Sequence, residues 1–376
     1  MPYIFNIDKS FIKALDDQTA RELIARLCRA ELRSQGLPES AVTWGGDQRA
    51  KDGGVDVRVD CPSPLRMPNF VKTAYTVFQV KAEKFPPSKI QEEMAPKGIL
   101  RPAIVELNKT GGTYIIASTQ DDFSDTALQP RRNAIIKCLR NHGIHPSVQS
   151  DFYDSRRIAD WVELHPPITT WLRHAIGQPL KGWRPYGPWA YGEDDPKAEY
   201  LVDDRVRVFV PGAEEGSCIT DTIAQLRQKL RNQVSIRIVG LSGVGKTRLV
   251  QALFDPRVCP ESFAPPSENV IYVDLAEEPE PKPQTMLKSL QECGTDAIVV
   301  VDNCSPATHE RLTEIVKSKS SHLKLITVEY DIREDLPEDT ICYRLEGSSP
   351  EIITKLLKTR YRYLSESDAD RIADFS

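Results

Sequence analysis

The segment Gly240-Leu241-Ser242-Gly243-Val244-Gly245-Lys246-Thr247 constrains the fold of this chain more than any other stretch. Three glycines within six residues permit backbone conformations closed to residues with a Cβ, so successive N–H groups can turn toward a single point. The alternation of Val234, Ile236 and Ile238 before the loop predicts a strand, and Leu249, Val250 and Leu253 after it predict a helix with one buried face. A glycine turn between strand and helix is a cradle for polyphosphate. The loop N–H groups and the helix N-terminus meet the anion, Lys246 reaches its outer phosphates and the Thr247 hydroxyl can ligate Mg²⁺. The candidate nucleotide-binding residues are therefore Gly240, Ser242, Gly243, Val244, Gly245, Lys246, Thr247 and Arg248.

A second element supports the same chemistry. Ile298-Val299-Val300-Val301-Asp302 is an apolar strand ending in a carboxylate, and Asp302 can hold Mg²⁺ opposite Thr247. Asn303 follows, where many motor NTPases carry a glutamate that orients the attacking water, so slow hydrolysis is expected. Thr327, in the strand Leu325–Val328, and Arg333 are candidates for reaching the γ-phosphate. From Arg205 onward strands and helices alternate regularly, which is the pattern of a parallel sheet with crossover helices.

The chain has 376 residues, enough for two domains. Residues 177–196 hold four glycines and four prolines among the aromatics Trp183, Tyr186, Trp189 and Tyr191, and we read 177–200 as a packed linker between domains at 1–176 and 201–376. The net charge is −5, with a balance of +3 over residues 1–180 and −8 over the remainder. A wholly cationic nucleic-acid binder is excluded, and any contact with a polyanion falls to the first half. No apolar stretch is long enough to cross a membrane, and Asp8 and Lys9 interrupt the N-terminus where a secretory signal needs apolar residues. A cytoplasmic protein with its eight cysteines reduced is expected.

In the first half, Asp56 lies in a strand between Val55 and Val57, where an acid needs a partner. Gln79 and Lys81 lie two apart in the strand Val77-Phe78-Gln79-Val80-Lys81 and so face the same side. A hairpin of the two strands brings Asp56, Gln79 and Lys81 together. A carboxylate and an amide oxygen, helped by a backbone carbonyl, can bind Mg²⁺ or Mn²⁺, while the lysine positions or deprotonates water. On the preceding helix, Ala20, Ile24 and Leu27 define the inward stripe; Glu31 continues it and Glu22 points away. The later run Arg131, Arg132, Lys137, Arg140, His142 and His145 makes one helix and turn basic.

Residues 15–175, through GGVDV and QVK, resemble the PD-(D/E)XK nuclease superfamily in its Mrr-like variant, where Gln replaces the second acid. The resemblance implies a restriction-endonuclease-like α/β domain with Asp56, Gln79, Lys81 and a helix glutamate, for which we choose Glu31, as catalytic and metal-binding residues. From Val202 to Ser376, through GLSGVGKT and IVVVDN, the chain resembles the STAND class of P-loop NTPases, relatives of AAA+ proteins. This implies ATP bound with Mg²⁺ in a switch between a monomer and a homo-oligomer. The expected class is thus α/β throughout, with a nuclease domain followed by an NTPase core that stops short of the lid and sensor of its class. The pair together resembles antiviral STAND effectors, which implies an endonuclease on double-stranded DNA, activated when a C-terminal sensor meets a phage protein. An Mrr-like restriction enzyme acting on modified DNA and a nucleotide-binding scaffold with an inactive nuclease fold are the alternatives.

Overall fold

The computed structural model describes residues 3–45, 55–145, 147–192, 200, 202, 204–210, 212–318, 321–330, 340–347, 350–361 and 363–374. The chain divides into two compact units, Tyr3–Gln178 and Pro179–Ser376.

The first unit runs α1 (Lys9–Lys13), α2 (Asp17–Ser34), β1 (Val42–Trp44), β2 (Val57–Asp60), β3 (Tyr75–Lys81), α3 (Pro87–Met94), α4 (Pro102–Thr110), β4 (Thr113–Ser118), α5 (Asp125–Asn141), β5 (Gln149–Tyr153), α6 (Ser155–Glu163) and α7 (Pro166–Ala175). Its sheet has the order β1-β2-β3-β4-β5, antiparallel through β3 and parallel beyond. Between β3 and β4 the helical residues form two helices, since Pro96 and Pro102 each lack an N–H and Pro102 starts its own helix. The β3 strand is buried almost throughout because helices cover both faces of the sheet. On one side Leu23, Ile24 and Leu27 of α2 and Trp161 of α6 pack on Val57, Val59, Phe78 and Val80. On the other, Ile90 and Met94 of α3, Ile104 of α4 and Ile135 of α5 pack on Val77, Tyr114 and Ile116.

The second unit runs β6 (Trp183–Pro185), α8 (Tyr186–Tyr191), β7 (Val208–Phe209), α9 (Ile219–Asn232), β8 (Ser235–Val239), α10 (Lys246–Ala252), β9 (Val270–Asp274), α11 (Pro283–Glu292), β10 (Ile298–Asp302), α12 (Pro306–Val316), β11 (Lys324–Glu329), β12 (Ile341–Leu345), α13 (Pro350–Arg360) and α14 (Glu366–Asp374). The sheet order is β6-β9-β10-β11-β8-β12-β7, parallel from β9 to β12 with an antiparallel strand at each edge. The segment read as a linker thus contributes β6 and α8. Trp183 pairs with Val273 at the sheet edge, where Pro185 is tolerated because no further strand needs its missing N–H, and Trp189 stacks on Tyr272 with ring centroids 4.5 Å apart. Chain order carries β9, β10 and β11 to one side of β8 and β12 to the other. A crevice at the carboxyl ends of β8 and β11 is the place where such sheets bind ligands.

Candidate functional site

The hairpin in the first unit does bring the expected residues together. Val57 pairs with Phe78, and Asp56 donates its own N–H to the Phe78 carbonyl. That register sets the Asp56 carboxylate over Gln79 Nε2, 2.6 Å from Oδ2, with the Val80 N–H donating to the same oxygen at 2.7 Å. Burial pushes the Asp56 carboxyl above its ordinary range, against the pull of the Val80 N–H and the Arg21 and Lys81 charges. An ionised carboxylate only accepts, so the Gln79 amide must turn its nitrogen to Asp56 and its oxygen away. That oxygen, Oε1, is buried with no hydrogen-bond partner among the described residues. Turning the amide over would bring this oxygen beside the Asp56 carboxylate, the donor pair that a hard divalent cation takes, so the chemistry of these residues fits Mg²⁺ or Mn²⁺.

Lys81 projects from the same sheet face. Its Nζ lies 2.9 Å from Glu93 Oε2 of α3, and Arg101 meets Glu93 Oε1 at 2.7 Å. Tyr114 on β4 brings a fully buried hydroxyl without a partner among the described residues, pushed well up by desolvation, with the Glu93 and Asp56 charges adding to the rise. The sequence reading missed Glu93, Arg101 and Tyr114 because each meets the face from a separate element. Among the described residues no three His, Cys, Asp or Glu side chains gather as a metal cluster.

Glu31 is not part of this face. Its carboxylate accepts the N–H groups of Asn69 (3.1 Å), Phe70 (3.3 Å) and Val71 (3.0 Å), and is consumed in holding that turn against α2. Burial raises its pKa, while the three N–H groups pull it back. Glu22 pairs with Arg26 one turn along. The α2 residue that reaches Asp56 is Arg21, whose Nε lies 3.1 Å from Oδ1, and it is joined by Asp17 at 2.5 Å. Ten residues separate Arg21 from Glu31, about 15 Å along a helix axis and roughly 80° around it, so the two differ in both height and face. In the basic run, Arg131 is buried against the Phe85 carbonyl and the Phe123 ring, and Arg132 pairs with Asp151.

In the second unit Gly243 (φ 83°) and Gly245 (φ 94°) take left-handed backbone conformations. At Gly240 a Cβ would come within 2.6 Å of the Leu345 carbonyl oxygen, so only glycine fits beside β12. Ser242 and Val244 lie in the turn between them, Val244 packing into the core. The Lys246 ammonium donates to the carbonyls of Gly240 (2.9 Å) and Leu241 (2.7 Å), and desolvation lowers its pKa. Thr247 Oγ1 donates to Asp302 Oδ2 at 2.8 Å, and Tyr272 donates to the same oxygen at 3.3 Å. Hydroxyl and carboxylate thus meet across 55 residues as an oxygen pair fitted to Mg²⁺. Arg248 turns elsewhere: it donates to the Ala190 carbonyl at 3.1 Å and stacks 3.9 Å from the Tyr200 ring centroid.

Asn303 stands at φ 52° and donates through its amide to Asp274 Oδ1 at 2.7 Å. Asp274 and Asp302 are register partners on β9 and β10. Thr327 does not point toward the loop. It is buried, with His309 Nδ1 at 2.8 Å and Arg237 Nη1 at 3.4 Å; Arg237 also donates to the Cys304 carbonyl at 3.1 Å. His309 Nε2 lies 3.1 Å from Thr340 Oγ1, and burial with the Arg237 and Lys317 charges holds its pKa down to about 4. The alternation of β8 concealed Arg237, which a period-two reading assigns to a sheet face without saying that a polar network receives it. Arg333 lies outside the described residues. No helix among the described residues is long and apolar enough to cross a membrane.

No protein-family model matches the chain, and no curated protein matches it. Among solved structures, a chain of an E. coli MS115-1 HORMA:CdnC:Trip13 complex is similar at 10% identity and a TM-score of 0.27, covering 42% of this chain and 69% of that chain.

Proposed function

We propose that the chain is a metal-dependent endonuclease on double-stranded DNA, of the PD-(D/E)XK kind, coupled to an ATP-binding P-loop module of the STAND kind that brings copies together. The observation that carries the nuclease half is the pairing of Asp56 with Gln79 and the orphaned Gln79 oxygen beside it, on a face shared with Lys81. A bound Mg²⁺ or Mn²⁺ would supply a Lewis acid for the phosphodiester and a more acidic water. Asp56 and Gln79 would hold it. Lys81 would orient that water and offset the charge that builds on the phosphodiester, and Glu93 fixes the direction of its ammonium.

The NTPase half is supported by the Thr247–Asp302 hydrogen bond at the end of two parallel strands, with the glycine loop beside it. Thr247 and Asp302 would share the Mg²⁺ of ATP, and Lys246 would leave its loop carbonyls for the outer phosphates. Asn303 in place of an acid favours a slow switch over a motor. A setting in antiviral defence, with a phage protein as trigger, follows from the resemblance of the two halves taken together.

Plasmid cleavage with Mg²⁺ or Mn²⁺ tests the reading. Asp56→Ala and Lys81→Ala should each lower the rate by at least ~100-fold while ATP binding persists, because each removes a group acting in the transition state. Rates within a few fold of the parent would overturn it.

A further inference from the structure

Arg21 has two carboxylates within reach. Nε lies 3.1 Å from Asp56 Oδ1, an ion-pair contact off the line of a hydrogen bond, and Nη2 lies 2.5 Å from Asp17 Oδ2, one helical turn earlier. The other Asp56 oxygen is already occupied by the Gln79 amide and the Val80 N–H. Oδ1 is therefore the oxygen through which this carboxylate can meet a cation, and the guanidinium holds that position. A guanidinium and a divalent ion repel one another, and in a site this buried the repulsion is weakly screened. The two cannot share Oδ1 at low cost.

Resting on the reading of Asp56 as a metal ligand, we propose that Arg21 is a latch on the nuclease site: its pairing with Asp56 keeps a divalent cation off the carboxylate, and its retreat to Asp17 admits one. The second partner makes this exchange feasible. The Arg21–Asp17 pair is an i,i+4 contact within α2, and Asp17 is about half exposed, so the guanidinium keeps a carboxylate when it releases Asp56. Both partners sit in the first turns of α2, so a small shift at that end of the helix, as when another copy or a DNA phosphate binds beside it, changes the balance. Regulation of the metal site then needs no separate inhibitory segment.

The test is Mn²⁺ binding to the full chain without nucleotide, followed by the loss of the free-ion electron paramagnetic resonance signal. Asp56→Asn identifies the site by abolishing its binding. Arg21→Gln should bind Mn²⁺ about tenfold more tightly than the parent, as expected for removing a buried competing charge. Asp17→Asn should weaken binding in the parent background and have a much smaller effect in the Arg21→Gln background, since without the latch the alternative partner is irrelevant. Thermal melting of each variant checks that it is folded. Asp56-dependent binding that is equal or weaker in Arg21→Gln would overturn the latch and leave the nuclease reading standing. No Asp56-dependent binding in parent or Arg21→Gln would overturn both.

Discussion

Each unit places a carboxylate beside the end of a strand, Asp56 in the first and Asp302 in the second, and the two are balanced by different chemistry. Asp302 is met by hydroxyls, those of Thr247 and Tyr272, and by the Asn303 N–H. Asp56 is met by an amide, a backbone N–H and the Arg21 guanidinium. A hydroxyl that donates to a carboxylate can rotate and ligate the same cation with its lone pairs, so the Asp302 pair is ready as it stands. A guanidinium cannot ligate a cation and must withdraw. An acid's readiness for a metal depends on whether its partner can change role or must leave.

Glu31 offers the sharpest contrast, an acid whose whole capacity is spent on backbone. Glu31→Ala strips acceptors from three N–H groups, two of them on buried residues, and should cost roughly 3–5 kcal/mol in urea unfolding. Glu22→Ala, which removes one i,i+4 pair, should cost about 0.5 kcal/mol. Equal costs would show that Glu31 is free for other work.

The next largest effect concerns the polar network behind Asp302. His309 stays neutral in the fold down to about pH 4, whereas the unfolded chain takes that proton near pH 6.5. Between those values the unfolded state binds more protons, so this contribution is intact above pH 6.5 and is lost as pH falls toward 4. The shift corresponds to about 3 kcal/mol in the second unit. Urea titrations of the parent and His309→Gln across that range should show the difference between them changing by that order; a constant difference would place His309 outside the network.

A smaller effect separates two adjacent cations. Lys246→Ala should weaken ATP binding about 30-fold by calorimetry, since it removes the charge that can meet the outer phosphates. Arg248→Ala should change it by less than about threefold, because that guanidinium is engaged with Ala190 and Tyr200. Similar losses would mean that Arg248 turns back to the loop.

What the sequence made legible follows from how locally each feature is encoded. The glycine loop is contiguous, and its strand and helix are written on either side of it, so its position could be read directly. Asp56, Gln79 and Lys81 needed one further step, the antiparallel pairing of neighbouring strands. Glu31 failed because helical periodicity gives a buried face and not the partner elsewhere that meets each residue on it. Arg21 was overlooked because an arginine near the start of a helix reads as solvated until a carboxylate from another element meets it. The strand Trp183–Pro185 was hidden by glycine and proline, which exclude a central strand but permit an edge. Arg237 and His309 were hidden by hydrophobic neighbours, since a buried polar network shows no period of its own.

Copies of the first unit carry a balance of only +3 over residues 1–180, too little for one copy to hold DNA strongly at moderate salt. Holding several copies together multiplies phosphate contacts through effective concentration, without new residues. The most direct measurement is therefore plasmid cleavage in Mg²⁺ by the 376-residue chain, free at nanomolar concentration and fused to an unrelated oligomerising module. The expected result is a free chain that is monomeric by light scattering and cuts little, and a sharp rise in the fusion that Asp56→Ala abolishes. A free monomer that cuts as fast as the fused assembly would contradict it.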